Sequence, residues 1–109
     1  MKQFYTVVLE RFACFQEDFT TEPYETGWAD EAMFFIRVHE IDKDTGIRSF
    51  IQISVDGLIW LNEGTRFPII DKVGDYFVKV KDFGGWLRLN NLVSSNSSCK
   101  VTIHLVLKG

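Results

Sequence analysis

The side chains in this chain that could do chemistry are few and scattered. His39 and His104 each lie inside a run that alternates polar with apolar residues. A general base needs a nucleophile or substrate proton within reach and a partner that orients it, and the spacing assembles no such set. Both histidines read as solvated or locally bonded. Cys14 and Cys99 lie near opposite ends, with no C-x-x-C and no clustered His, so they make no metal site. They read as buried free thiols; a disulfide would require the first and last strands to be neighbours. Asp42-Lys43-Asp44-Thr45-Gly46 has the look of a calcium loop. Its Gly, however, falls one place before the position a hand-type loop requires, and the closing Glu is missing. A hairpin loop, with Gly46 free to take positive φ, is the better reading. Gly84-Gly85 lacks the Lys-Ser or Lys-Thr of a phosphate loop, and no G-x-S-x-G elbow occurs. A β-sandwich hydrolase would need an acidic pair across a groove, for example Glu40 with Asp82. The expectation is therefore no catalytic residue, no metal and no cofactor.

Binding chemistry has more to work with. Glu17, Asp18, Glu22, Glu25, Asp30 and Glu31 concentrate acid in residues 17–31 without one Lys or Arg, and Phe19, Tyr24 and Trp28 are interleaved. Either the aromatics fold back to cap the sandwich while the acids stay wet, or the segment is a docking, sugar-stacking or calcium surface. Trp60 and Trp86 stand beside apolar residues, where packing is the default. If both face outward from one sheet, they make a platform for a sugar ring. Asn96-Ser97-Ser98 is a formal glycosylation sequon that reads as a turn.

The elements that must position these residues come from the composition and its period. The chain has 109 residues, 46% of them hydrophobic, and a net charge of −3. That is one globular domain, 1–109, large enough to fold without metal or disulfide. Its charge argues against a nucleic-acid partner, which needs a basic face. No apolar run is long enough for a membrane span. The start has no signal-peptide pattern, which implies cytoplasmic synthesis.

The dominant period is two. Gln3 to Glu10 reads as a strand with Tyr5, Val7 and Leu9 on a fully buried face, continuing through Phe12 to Gln16. Residues 17–31 read as a long loop. Ala32 to Ile41 is a strand with Phe34, Ile36 and Val38 inward. The strand after Gly46 runs to Val55, and Asp56-Gly57 is a turn. Leu58 to Leu61 is a short strand closed by Asn62-Glu63-Gly64, and Thr65 to Ile70 an edge segment because Pro68 cannot donate to a ladder. Tyr76 to Lys81 alternates cleanly, and Trp86 to Leu92 and Cys99 to Leu107 are further strands, separated by a polar loop at 94–98. About eight short strands and no helix predict an all-β, antiparallel β-sandwich.

Ser54-Val55-Asp56-Gly57-Leu58-Ile59-Trp60 resembles the S-x-D-G-x-x-W hairpin of discoidin-like β-sandwich domains, and the short sandwich modules of phage and bacterial surface structures. Trp86-Leu87-Arg88-Leu89 is similar to a following strand of those domains, so the resemblance covers residues 48–109. It implies a jelly-roll-like packing, with Trp60 folded back over the hairpin, and no particular ligand.

Ten Phe, three Trp and three Tyr are more aromatic surface than one small core readily hides, so an exposed apolar patch is expected. The leading expectation is a non-catalytic structural or interaction module in a virion or other multi-copy particle. Its partner would be itself, as a homo-oligomer, or another assembly protein, with Phe19, Tyr24, Trp28, Phe83 and Trp86 as contact residues. The rival is a carbohydrate-binding module in which Trp28, Tyr24 and Trp86 stack on a glycan, and Asn90, Asn91 or Asp30 bond its hydroxyls.

Overall fold

The structure, a computed structural model, describes residues 3–94 and 97–109. Strict alternation of apolar side chains dictates extended strands with one face to bury. The described strands are β1 (Phe4–Phe15), β2 (Phe19–Thr20), β3 (Tyr24–Glu25), β4 (Glu31–Ile41), β5 (Ile47–Ser54), β6 (Leu61–Arg66), β7 (Gly74–Lys81), β8 (Trp86–Val93) and β9 (Cys99–Lys108). They form two antiparallel sheets. One has the order β1-β9-β4-β7; the other has β2-β8-β5-β6, with β3 also on β8. β2 and β3 follow one another along the same edge of β8 and act as one interrupted strand. Counted so, the order is that of a jelly roll, two four-strand layers in which successive strands cross between sheets except at the β5–β6 hairpin.

The inner faces meet in one core. Phe34, Ile36 and Val38 of β4, Ile51 of β5, Leu87 and Leu89 of β8, and Val101, Ile103, Leu105 and Leu107 of β9 are fully buried. The inward parity expected for β4 and β9 is the one observed. Inside this core Ser49 donates its hydroxyl hydrogen to Asn91 Oδ1 at 2.6 Å, so the buried amide is satisfied.

Several local expectations are corrected. β1 is an edge strand, so Tyr5 is half exposed; of the three residues expected on its buried face, Val7 and Leu9 pack against the core. Residues 17–31 are not a featureless loop. Thr21 donates its N–H to Leu89 O, and its hydroxyl accepts the Leu89 N–H, which holds this segment against β8 between β2 and β3. Asp42–Gly46 is not a hairpin loop: it carries the chain from one sheet to the other, and Asp44, not Gly46, takes the left-handed conformation at φ 65°. Leu58 to Leu61 is not a strand and 62–64 is not a turn. The ladder resumes only at Leu61 and runs through Gly64 to Arg66, which makes β6 the edge strand expected further on.

The terminal strands β1 and β9 are neighbours, with Cys14 opposite Lys100 and Phe15 opposite Cys99. That register sends the two thiols to opposite faces. Both are free; Cys99 is buried, and Cys14 is exposed rather than buried. Residues 95 and 96, in the expected polar loop and sequon, lie outside the described residues.

Candidate functional site

The five aromatics singled out from sequence do not share one surface. Phe19 stacks on Phe15 with ring centroids 3.5 Å apart and packs against the core. Tyr24 lies 6.2 Å from Tyr5, and their hydroxyl hydrogen bond raises the Tyr24 pKa. Tyr24 and exposed Trp28 line a cleft of about 480 Å³ with Val7, Leu9, Glu22 and Glu25. Burial and the nearby Glu22 raise the Glu10 pKa. Phe83 is tucked against the core, and Trp86 lies half-buried under Gly57. Asn91 is buried and bonded within the sandwich, so it is not placed to meet a sugar hydroxyl. Glu40 and Asp82 fall at opposite ends of the β1-side sheet, since Glu40 is level with Lys100 while Lys81 is level with Glu31 and Lys108. They form no acidic pair. Among the described residues no group of three or more His, Cys, Asp or Glu could hold a metal ion. No described helix is long and apolar enough to cross a membrane.

Two other surfaces stand out. The first is the tip between β5 and β6. Ser54 Oγ accepts the Gly57 N–H at 2.9 Å and donates to Asp56 Oδ1 at 3.0 Å. Asp56 Oδ1 in turn accepts the Leu58 and Ile59 N–H groups at 2.9 and 3.2 Å. Those backbone donors hold the Asp56 carboxyl below the usual carboxylate range. Gly57 closes the turn at φ 79°, and a Cβ there would stand 3.3 Å from the Trp86 ring. The staple keeps Val55, Leu58, Ile59 and Leu61 pointing into water, with Val55 88% and Leu58 81% exposed.

The second is the outer face of the β1-side sheet. Its register lays side chains in rows across four strands. Val8, His104, Phe35 and Phe77 make one row, and the Phe35 and Phe77 rings lie 5.7 Å apart. Thr6, Val106, Met33 and Lys79 make the next, and Phe4, Lys108, Glu31 and Lys81 the third. On the other side of the aromatic row Arg37 donates to Asp75 through Nε and Nη2 at 2.7 and 3.2 Å, which lowers the Asp75 pKa. Two register shifts in β1 place Phe12 at φ 46°, a conformation that costs a non-glycine residue roughly 1 kcal/mol. They bring its ring to 4.3 Å from the His39 ring, and its N–H donates to Thr102 Oγ1 at 3.0 Å. The same hydroxyl lies 2.7 Å from His39 Nε2. Both histidines therefore sit on this face, His39 under Phe12 and His104 in the aromatic row.

The outer face of the other sheet carries a polar network at its centre. Arg88 donates from Nε to Gln52 Oε1 at 2.7 Å, and Gln52 donates to Asn62 Oδ1 at 3.1 Å. The Arg88 guanidinium lies 4.4 Å from the centre of the Trp60 ring, and burial lowers its pKa.

Sequence reasoning expected an exposed apolar patch but assigned it to neither of these surfaces. The signal for the sheet face was legible: Ala32 to Ile36 is apolar on both parities, which an antiparallel strand with one wet face does not need.

The architecture defines an all-β jelly-roll sandwich. No protein-family model matches the chain, and no curated protein matches it by sequence. Solved structures do share the fold. The crystal structure of the SPBc2 prophage-derived protein YomS aligns with a TM-score of 0.68 at 7% identity, over 100% of this chain and 96% of that one. The structure of infectious bursal disease virus, Gx strain, aligns with a TM-score of 0.57 at 10% identity, over 97% of this chain and 32% of that one. At these identities the likeness establishes the fold alone.

Proposed function

We propose that this protein is a non-catalytic structural subunit of a multi-copy particle of the virion or phage kind, joined to copies of itself or to another particle protein. The observation that carries the reading is the apolar surface left exposed in two places, the stapled β5–β6 tip and the outer face of the β1-side sheet. An exposed apolar tip and an aromatic sheet face are aggregation hazards on a domain that stays alone and contact surfaces on one that does not. The fold shared with a prophage-derived protein over nearly its whole length, and with part of a virus structure, supports the same reading.

One observation favours a second reading. The cleft lined by Tyr24, Trp28, Glu22 and Glu25 pairs aromatic faces with carboxylates, the chemistry that holds a sugar ring. Light scattering over a concentration series, together with tryptophan fluorescence titrated with a panel of sugars, separates the two. The assembly reading expects a defined oligomer whose fluorescence ignores sugars. A monomer whose fluorescence shifts on adding a sugar would overturn it in favour of carbohydrate binding.

A further inference from the structure

We propose that the outer face of the β1-side sheet is a self-association surface, on which a second copy of this chain packs sheet to sheet. This rests on the reading of the protein as a particle subunit and assigns one of its contacts. The central row, Val8, His104, Phe35 and Phe77, contains no carboxylate, lysine or arginine, and Val106 and Met33 extend it. Four strands about 4.8 Å apart, spanning the eight residues of the shortest, β7, at ~3.3 Å per residue, give a footprint of about 500 Å². That reaches the roughly 500 Å² per partner at which a specific interface begins.

The pattern of side chains also selects the partner and its orientation. A two-fold axis along the strand direction lays the β1 side of one copy on the β7 side of the other. His104 then faces the second copy's Phe35, Val8 faces its Phe77 and Val106 faces its Met33. At the end of the face, Lys108 meets the second copy's Glu31, and Phe4 meets its Lys81. This last pairing repeats between copies the cation–π contact that Lys108 makes with Phe4 within one, at 5.2 Å. The other in-plane axis, across the strands, would bring Lys108 over Lys100 and is disfavoured by charge. Sheets stacked in this way keep their strands aligned, as the two layers of the sandwich do.

Phe77→Lys tests the assignment, because Phe77 is 55% exposed on an edge strand and its loss leaves the core untouched. Leu58→Lys at the tip is the control, and far-UV circular dichroism reports that both variants are folded. In sedimentation velocity the wild type is expected as a dimer or an even multiple of one. Phe77→Lys should halve the mass and raise the dissociation constant at least ~100-fold, while Leu58→Lys leaves the mass unchanged. A wild-type oligomer that survives Phe77→Lys but falls apart with Leu58→Lys overturns this assignment and leaves the particle reading standing. A wild type that is monomeric throughout overturns the second copy as occupant and takes the self-association arm of the particle reading with it.

Discussion

The two outer faces of this sandwich differ in the chemistry at their centres. On the β8 side, Gln52, Arg88 and Asn62 form a chain of hydrogen bonds, with Arg88 laid over Trp60. On the β1 side, Phe35, Phe77, Met33 and Val106 face outward, with polar contacts around Thr102 and at Arg37–Asp75 beside them. A sandwich requires each sheet to bury one face. A second apolar face adds nothing to the monomer's core and costs solubility unless something covers it. The contrast therefore separates residues that make the fold from residues that meet other molecules.

The largest expected effect comes from neighbouring residues on opposite faces of β4. Phe34→Ala empties the core and should cost about 3–5 kcal/mol in urea denaturation. Phe35→Ala, one residue on but facing out, should cost roughly 1–2 kcal/mol in the monomer. Equal costs would mean that the β1-side outer face is part of the folding core, and the contrast would collapse.

A smaller effect compares the polar groups of the two faces. Thr102 is buried under Phe12 and His39, and Thr102→Val removes the hydroxyl that accepts the Phe12 N–H, at a cost of about 1–2 kcal/mol. Gln52→Ala, in the solvated network of the other face, should cost less than about 1 kcal/mol. The same denaturation series ranks them, and a reversal would place the better-buried polar network on the β8 side.

The smallest concerns the edge between the faces. Burial and Glu22 raise the Glu10 pKa, so the folded state holds a proton that the unfolded chain has released. Stability is then lost as pH rises from the unfolded carboxylate value through the raised folded one. Glu10→Gln should raise the melting temperature slightly at pH 7, by an amount worth less than about 1 kcal/mol, and the gain should vanish well below pH 4. A gain of the same size at both pH values would remove charge as its cause.

The strands with clean alternation were legible from sequence. Phe34, Ile36 and Val38, the Tyr76–Val78–Val80 series, and Val101 through Leu107 point where their parity sends them, because side chains on an extended backbone must alternate. The Leu58–Leu61 run was misread because a run of consecutive apolar residues looks like a short buried strand. Asp56 takes the Leu58 and Ile59 N–H groups through its own carboxylate, so those donors cannot join a ladder. Residues 17–31 looked unstructured because Pro23 and the acids break any period, while their order comes from hydrogen bonds to β8, far away in sequence.

By itself the sequence determined the all-β class, the inward parity of its clearest strands and the small-residue turn at Asp56-Gly57, since each depends on neighbours along the chain. Only the tertiary structure decided that the terminal strands pair, that Cys14 and Cys99 face apart, and that Val8, His104, Phe35 and Phe77 line up across four strands. Those outcomes depend on strand order and register. Both are set by which distant segments bury each other's apolar faces, and a single strand's pattern carries no record of its neighbours.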